Sequence, residues 1–178
     1  MTRPALDWIE RYNVRSDGRH EGWAVVVIDS KGFLGVVSDY GNYAFHWSSF
    51  GDDFRKFLRE IDDDYLYGKL MQGRDAKVYD GEATLRGILK RIIELRREGR
   101  LTPDRARDEW TLAKDSEINH DRFSDGFSIW YRETQLENAN ELYETMQDPQ
   151  CRMFCQKVWP RFVELLKAGQ HDPVNRGK

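Results

Sequence analysis

Residues 22–50 read GWAVVVIDSKGFLGVVSDYGNYAFHWSSF, and no other part of the chain is as dense in β-branched and aromatic residues. The valine-rich run at 23–28 is too short for an ordinary helix, which favours a strand. Asp29, Ser30, Lys31 and Gly32 supply turn chemistry, with Gly32 free to take positive φ. Residues 33–38 form a second run, and Asp39, Tyr40, Gly41 and Asn42 a second turn. In the third run Tyr43, Phe45 and Trp47 alternate with Ala44 and His46. The stretch is expected to fold as an antiparallel meander of three to four strands, with residues 12–15 as the candidate fourth.

The first run is apolar on both faces: Trp23, Val25 and Val27 on one, Ala24, Val26 and Ile28 on the other. A strand with one side in water shows polar residues there. This strand is therefore expected to be central and covered on both sides, by helices or by a partner protein. Helices are favoured, because the chain has many to place.

Upstream, residues 5–11 fit a short helical lead-in with Leu6 and Ile9 facing inward, and His20 sits in a polar connection. Downstream the period changes. Phe50, Phe54, Phe57, Leu58 and Ile61 share one helix face, with Ser48 or Ser49 as cap. Asp62, Asp63 and Asp64 break that pattern, and Tyr65, Leu66 and Leu70 suggest a further short helix. Residues 80–99 carry the stripe Leu85, Ile88, Leu89, Ile92 and Ile93, capped by Asp80 and ended by Gly99. Thr102, Pro103 and Asp104 open the next helix, giving a helical hairpin. Residues 115–126 read as a loop, and 127–134 fit either a strand or a helix. Leu136, Ala139, Tyr143 and Met146 have helical spacing. Asp148 and Pro149 open a final helix, which Pro160 should kink and Gly169 should end. The fold class is α+β: the meander packed by about five to six helices, in one domain with the meander at 1–50, the helical part at 51–169 and a flexible tail at 170–178.

Composition narrows the function classes. The 178 residues include 28 basic and 31 acidic side chains, so bulk charge points to neither a nucleic-acid binder nor an acidic nucleic-acid mimic. Cys151 and Cys155 lie in an apolar helical pattern and read as core thiols of a reducing compartment. No signal peptide is read at the start, and no apolar run approaches membrane-spanning length. The expectation is a cytoplasmic protein with no membrane partner and no cofactor.

Few residues suggest chemistry. Asp62, Asp63 and Asp64 could bind a hard divalent cation, yet consecutive residues at a helix start diverge in direction, and a capping break explains them as well. His46 could be a general base but has no sequence-adjacent partner. His120-Asp121 and His171-Asp172 resemble a metal phosphohydrolase pair without the further spaced ligands. No phosphate-binding glycine loop, nucleophile elbow or paired zinc motif is present.

Two features favour binding. Arg86, Lys90 and Arg97 fall within about 40° at the helical period, a basic stripe that could hold phosphates or simply be solvated. Tyr40, Tyr43, Phe45 and Trp47 form an aromatic set that could stack bases or receive a protein, or could be covered by helices.

The words Gly22-Trp23-Ala24, Gly32-Phe33, the run from Val37 through Asp39, Tyr40, Gly41 and Asn42 to Trp47, and Tyr79-Asp80-Gly81-Glu82 resemble small uncharacterised proteins encoded by tailed phages and prophages. The likeness covers roughly the first half of the chain. It implies an accessory protein of the host cytoplasm that binds and inhibits a host protein or nucleoprotein complex, of the anti-CRISPR or other anti-defence kind, without catalysis. The aromatic set would make contacts, and the acidic turns at Asp39 and at Asp62 to Asp64 could mimic phosphate. Two other readings stay open: a DNA- or RNA-binding accessory protein using the basic stripe, and a metal-dependent hydrolase or nuclease using Asp62 to Asp64 or His46. A homo-oligomer is compatible with all three.

Overall fold

The structure, a computed structural model, describes residues 7–16, 18, 21–119 and 124–172. The chain forms two compact units, one made of the residues up to 76 and from 148 onward, the other of residues 77–147.

The first unit opens with a four-stranded antiparallel meander, β1 (Ile9–Val14), β2 (Ala24–Asp29), β3 (Phe33–Ser38) and β4 (Gly41–His46), paired in chain order. The two turns of the 22–50 stretch form where glycine was placed. Gly32 has φ +96° and its carbonyl accepts from Trp47 N at 2.9 Å, while Asp29 Oδ1 accepts from Lys31 N and Phe33 N. A Cβ on Gly32 would lie 2.2 Å from Trp47 O, so the turn admits only glycine.

β1 corrects the expected helical lead-in over its described part. Ile9, Arg11 and Asn13 are exposed while Glu10, Tyr12 and Val14 are buried, and that period of two belongs to a strand paired with β2. Leu6 and His20 lie outside the described residues.

Register aligns the inward-facing side chains in rows: Tyr12, Val26, Val36 and Tyr43 across the middle, and Glu10, Ile28, Leu34 and the half-buried Phe45 beside them. Helices α1 (Phe54–Glu60) and α2 (Asp63–Leu70) and the C-terminal helix close over this face, adding Phe54, Leu58, Leu66, Phe154, Val158 and Phe162 to one core. α1 begins later than expected: Asp53, not a serine, accepts from Arg55 N, and Phe50 packs on Phe54 from outside the helix at 4.8 Å. Both cysteines are buried in this core.

The C-terminal helix runs without a break as α6 (Pro149–Met153), a π-helical segment (Phe154–Val158) and α7 (Trp159–Lys167). Asp148 caps it through Cys151 N at 2.8 Å. In the π segment Trp159 N–H reaches back five residues to Phe154 O, so Pro160 falls in the first turn of α7, where a missing donor costs little.

The second unit contains β5 (Lys77–Tyr79), α3 (Gly81–Arg97), α4 (Pro103–Asp115), α5 (Asp125–Glu133), a 3₁₀ turn (Ala139–Leu142) and β6 (Thr145–Gln147). It has its own core of Ile88, Ile92, Leu95, Ala113, Ile118 and Trp130. Asp80 and Thr102 cap α3 and α4 as expected, and 127–134 resolves into helix. Residues 136–146 are not one helix: Asn138 takes φ +57° and Thr145–Gln147 pairs with β5. The chain leaves the first unit at Ala76 and returns at Asp148, and one atom holds both ends: Tyr67 Oη donates to Ala76 O and accepts from Asp148 N.

Candidate functional site: the open face of the sheet

The second face of the meander is the main departure from expectation. β2 is central, but only Ala24, Val26 and Ile28 enter the core, while Val25 and Val27 stay partly exposed. Around them stand Ile9 at 60% exposure, Trp23 at 39%, Phe33 at 38% and Val37 at 50%, none of which belongs to either core. Register places Val25 beside Val37, and Val27 beside Gly35 and then Ala44. The Phe33 ring lies over Gly35, where a Cβ would come within 3.0 Å of it. The face is apolar at its centre, and its charged groups sit at the margin. Arg11 is bound to Asp172 at 3.1 Å, and Asp29 is occupied with its own turn.

The expected aromatic contact set lies on the other side. Tyr43 and Trp47 are buried, and Tyr40 and Phe45 pack against the same core. Alternation places Tyr43, Phe45 and Trp47 together on the face that α1 and α2 close over, where Trp47 Nε1 donates to Tyr65 Oη at 3.1 Å. These four residues are packing, not an open surface.

The acidic residues expected as phosphate mimics or metal ligands have structural partners. Asp39 accepts from Gly22 N at 2.6 Å, and Asp62 caps α2 through Tyr65 N at 2.7 Å. Asp63 and Asp64 face Arg152, at 3.7 and 2.6 Å. Among the described residues no group of three or more His, Cys, Asp or Glu could hold a metal ion. His46 is exposed on β4, opposite Phe33, and His120-Asp121 lies outside the described residues. Two members of the basic stripe have solvent-exposed partners one turn away on the same helix, Arg86 with Glu82 at 3.4 Å and Lys90 with Glu94 at 3.9 Å. Arg97 makes no ion pair with a described residue.

One charged cluster has no counterpart in the sequence reading. Glu10, 8% exposed on the inner face of β1, accepts from Tyr12 Oη at 2.8 Å and from Arg55 Nε and Nη2 at 2.9 and 2.6 Å. Arg55 stacks on the Trp8 ring at 3.5 Å, and His171 Nε2 stands 3.8 Å from Glu10 Oε1. Burial alone would raise the Glu10 carboxyl, but the bonds from Arg55 and Tyr12, with the Arg55 charge, hold it below its ordinary 4.5. Burial, then the bond to Glu10, pushes the Tyr12 phenol well up. A carboxylate so occupied anchors α1 to the edge strand rather than moving protons. His171 also lines a cleft of about 800 Å³ with Arg15, Arg161 and Asp172. Of these, Arg161 donates to Gly22 O through Nη1 and Asp172 pairs with Arg11.

No helix among the described residues is long and apolar enough to cross a membrane. No curated protein and no solved structure matches the chain. A family model described as a Phage family matches residues 8–168, so the kinship runs well past the first half of the chain. The chain therefore belongs to that phage protein family.

Proposed function

We propose that the chain is a phage accessory protein that acts without catalysis, by docking the outer face of its meander on a host protein, or on the protein part of a host nucleoprotein complex, and so inhibiting it. The observation that carries this is the apolar outer face, with Trp23, Phe33 and Val37 exposed around Val25 and Val27. Apolar surface left in water on a sheet is the raw material of a protein interface, and aromatic side chains there become its anchors. A nucleic-acid surface needs cations facing phosphates, and the centre of this face has none. Membership of a phage family fits a partner in the host, and anti-defence inhibition of the anti-CRISPR kind is the form of activity it suggests.

The test is capture from nuclease-treated host lysate by the wild-type chain and by Val37→Glu. A stoichiometric host protein held by the first and released by the second supports the proposal. A chain that returns no stoichiometric partner, or a partner indifferent to Val37→Glu, refutes it.

A further inference from the structure

We propose that the second unit carries a separate docking groove, between α3 and α4, for an acidic peptide segment with an aliphatic or aromatic anchor residue. The groove encloses about 410 Å³. Its floor is Ile92 and Ile93 from α3 with Ala106 and Trp110 from α4. Ile93 is 40% exposed and Trp110 38%, so each presents a broad apolar surface that the unit's own core does not use.

The rim supplies the sign of the ligand. Arg96, Arg97 and Arg107 line the same groove. Arg96 and Arg97 make no ion pair with a described residue, although other basic groups of α3, Arg86, Lys90 and Arg91, do. Among the described residues Arg107 is tied only to Asp104, at 3.0 Å, a pair with both side chains mostly in water that a better-placed carboxylate can replace. Arginine forks bind carboxylates in pairs of parallel hydrogen bonds. Two unpaired forks beside an apolar trough therefore fit a segment alternating carboxylates with a leucine- or phenylalanine-like side chain.

A strand of nucleic acid fits less well. Its phosphates repeat with no apolar group between them, whereas the arginines here border the apolar floor of Ile92, Ile93, Ala106 and Trp110. The floor is also mainly aliphatic, and bases stack on aromatic platforms. The groove is independent of the sheet face, so it can fail or hold without deciding the proposal above.

The experiment titrates the full chain with a short synthetic helix of Glu, Leu and Phe, with polyglutamate and with oligo(dT), following backbone amides by NMR. The expected result is saturable binding of the mixed peptide at α3 and α4, weakened at least about tenfold by Arg96→Glu/Arg97→Glu and separately by Trp110→Ala. Ile93→Ser replaces Trp110→Ala if the latter does not melt like wild type. Polyglutamate binding as tightly as the mixed peptide would overturn the groove in favour of bulk charge. Preference for oligo(dT), self-association of the chain lost in Trp110→Ala, or no shift at α3 and α4 would overturn it too.

Discussion

Replacing Arg55 by methionine keeps most of its apolar stem and removes the fork that satisfies Glu10. Glu10 is nearly dry, with a side chain 10% exposed, so it must keep its charge without its main partner or take up a proton. Breaking a fully buried pair costs about 3–5 kcal/mol. The Arg55 side chain is 33% exposed, so water already screens part of the interaction, and about 2–3 kcal/mol is the expected loss at neutral pH. The stacking of Arg55 on Trp8 adds about 0.5–1 kcal/mol of that. Glu10→Gln/Arg55→Met, which leaves no stranded charge, should lose markedly less than the two single changes summed.

The pH dependence has a definite sign. The folded Glu10 pKa is lowered, so its contribution is present above the unfolded value near 4.5 and drains away as pH falls through the folded value below it. The coupling measured at pH 7 should therefore shrink under strongly acid conditions. Four of the six tryptophans, Trp8, Trp23, Trp47 and Trp159, belong to this unit and Trp110 and Trp130 to the other, so urea unfolding is followed by the amide signals of the four-stranded sheet rather than by total tryptophan emission. An Arg55→Met loss below about 0.5 kcal/mol, or a coupling unchanged in acid, would refute an ion pair of this depth.

Three further outcomes are expected. Val36→Ala should cost about 2 kcal/mol and its neighbour Val37→Ala under about 0.5, because one is 4% and the other 50% exposed; equal losses in urea titration would mean the outer face is covered. Gly32→Ala should destabilise by more than about 3 kcal/mol, since positive φ and a Cβ against Trp47 O act together, and a melting curve like wild type would contradict the turn. In the second unit, buried Glu109 accepts from Thr134 Oγ1 at 2.6 Å and Gln135 N at 3.0 Å; Glu109→Ala should cost about 2 kcal/mol and raise amide exchange at 134–136, and unchanged exchange would refute that role.

What was legible in the sequence was what local rules govern. The hairpins of 22–50 announce themselves through Gly32 and Gly41, and the α3–α4 hairpin through Asp80, Gly99, Thr102 and Pro103. What failed depended on partners far along the chain. Residues 145–147 look helical by spacing but form a strand, because β5 is waiting across the whole second unit. Glu10 and Arg55 are 45 residues apart, and no pattern links them. Arg86 and Lys90 are the exception, since their partners Glu82 and Glu94 stand one helical turn away and local spacing already offers them. The apolar pattern of Val25 and Val27 matches that of a strand covered on both faces, but no helix packs on them among the described elements.

The Tyr67 hydroxyl has a consequence for how such a gene can be cut. Ala76 O and Asp148 N both reach a single oxygen atom, so the two backbone junctions stand no further apart than two hydrogen bonds laid end to end. A tight reverse turn could bridge that gap, and the intervening segment behaves as a cassette. Deleting it, or splicing in a foreign one, should leave the first unit with its own core intact.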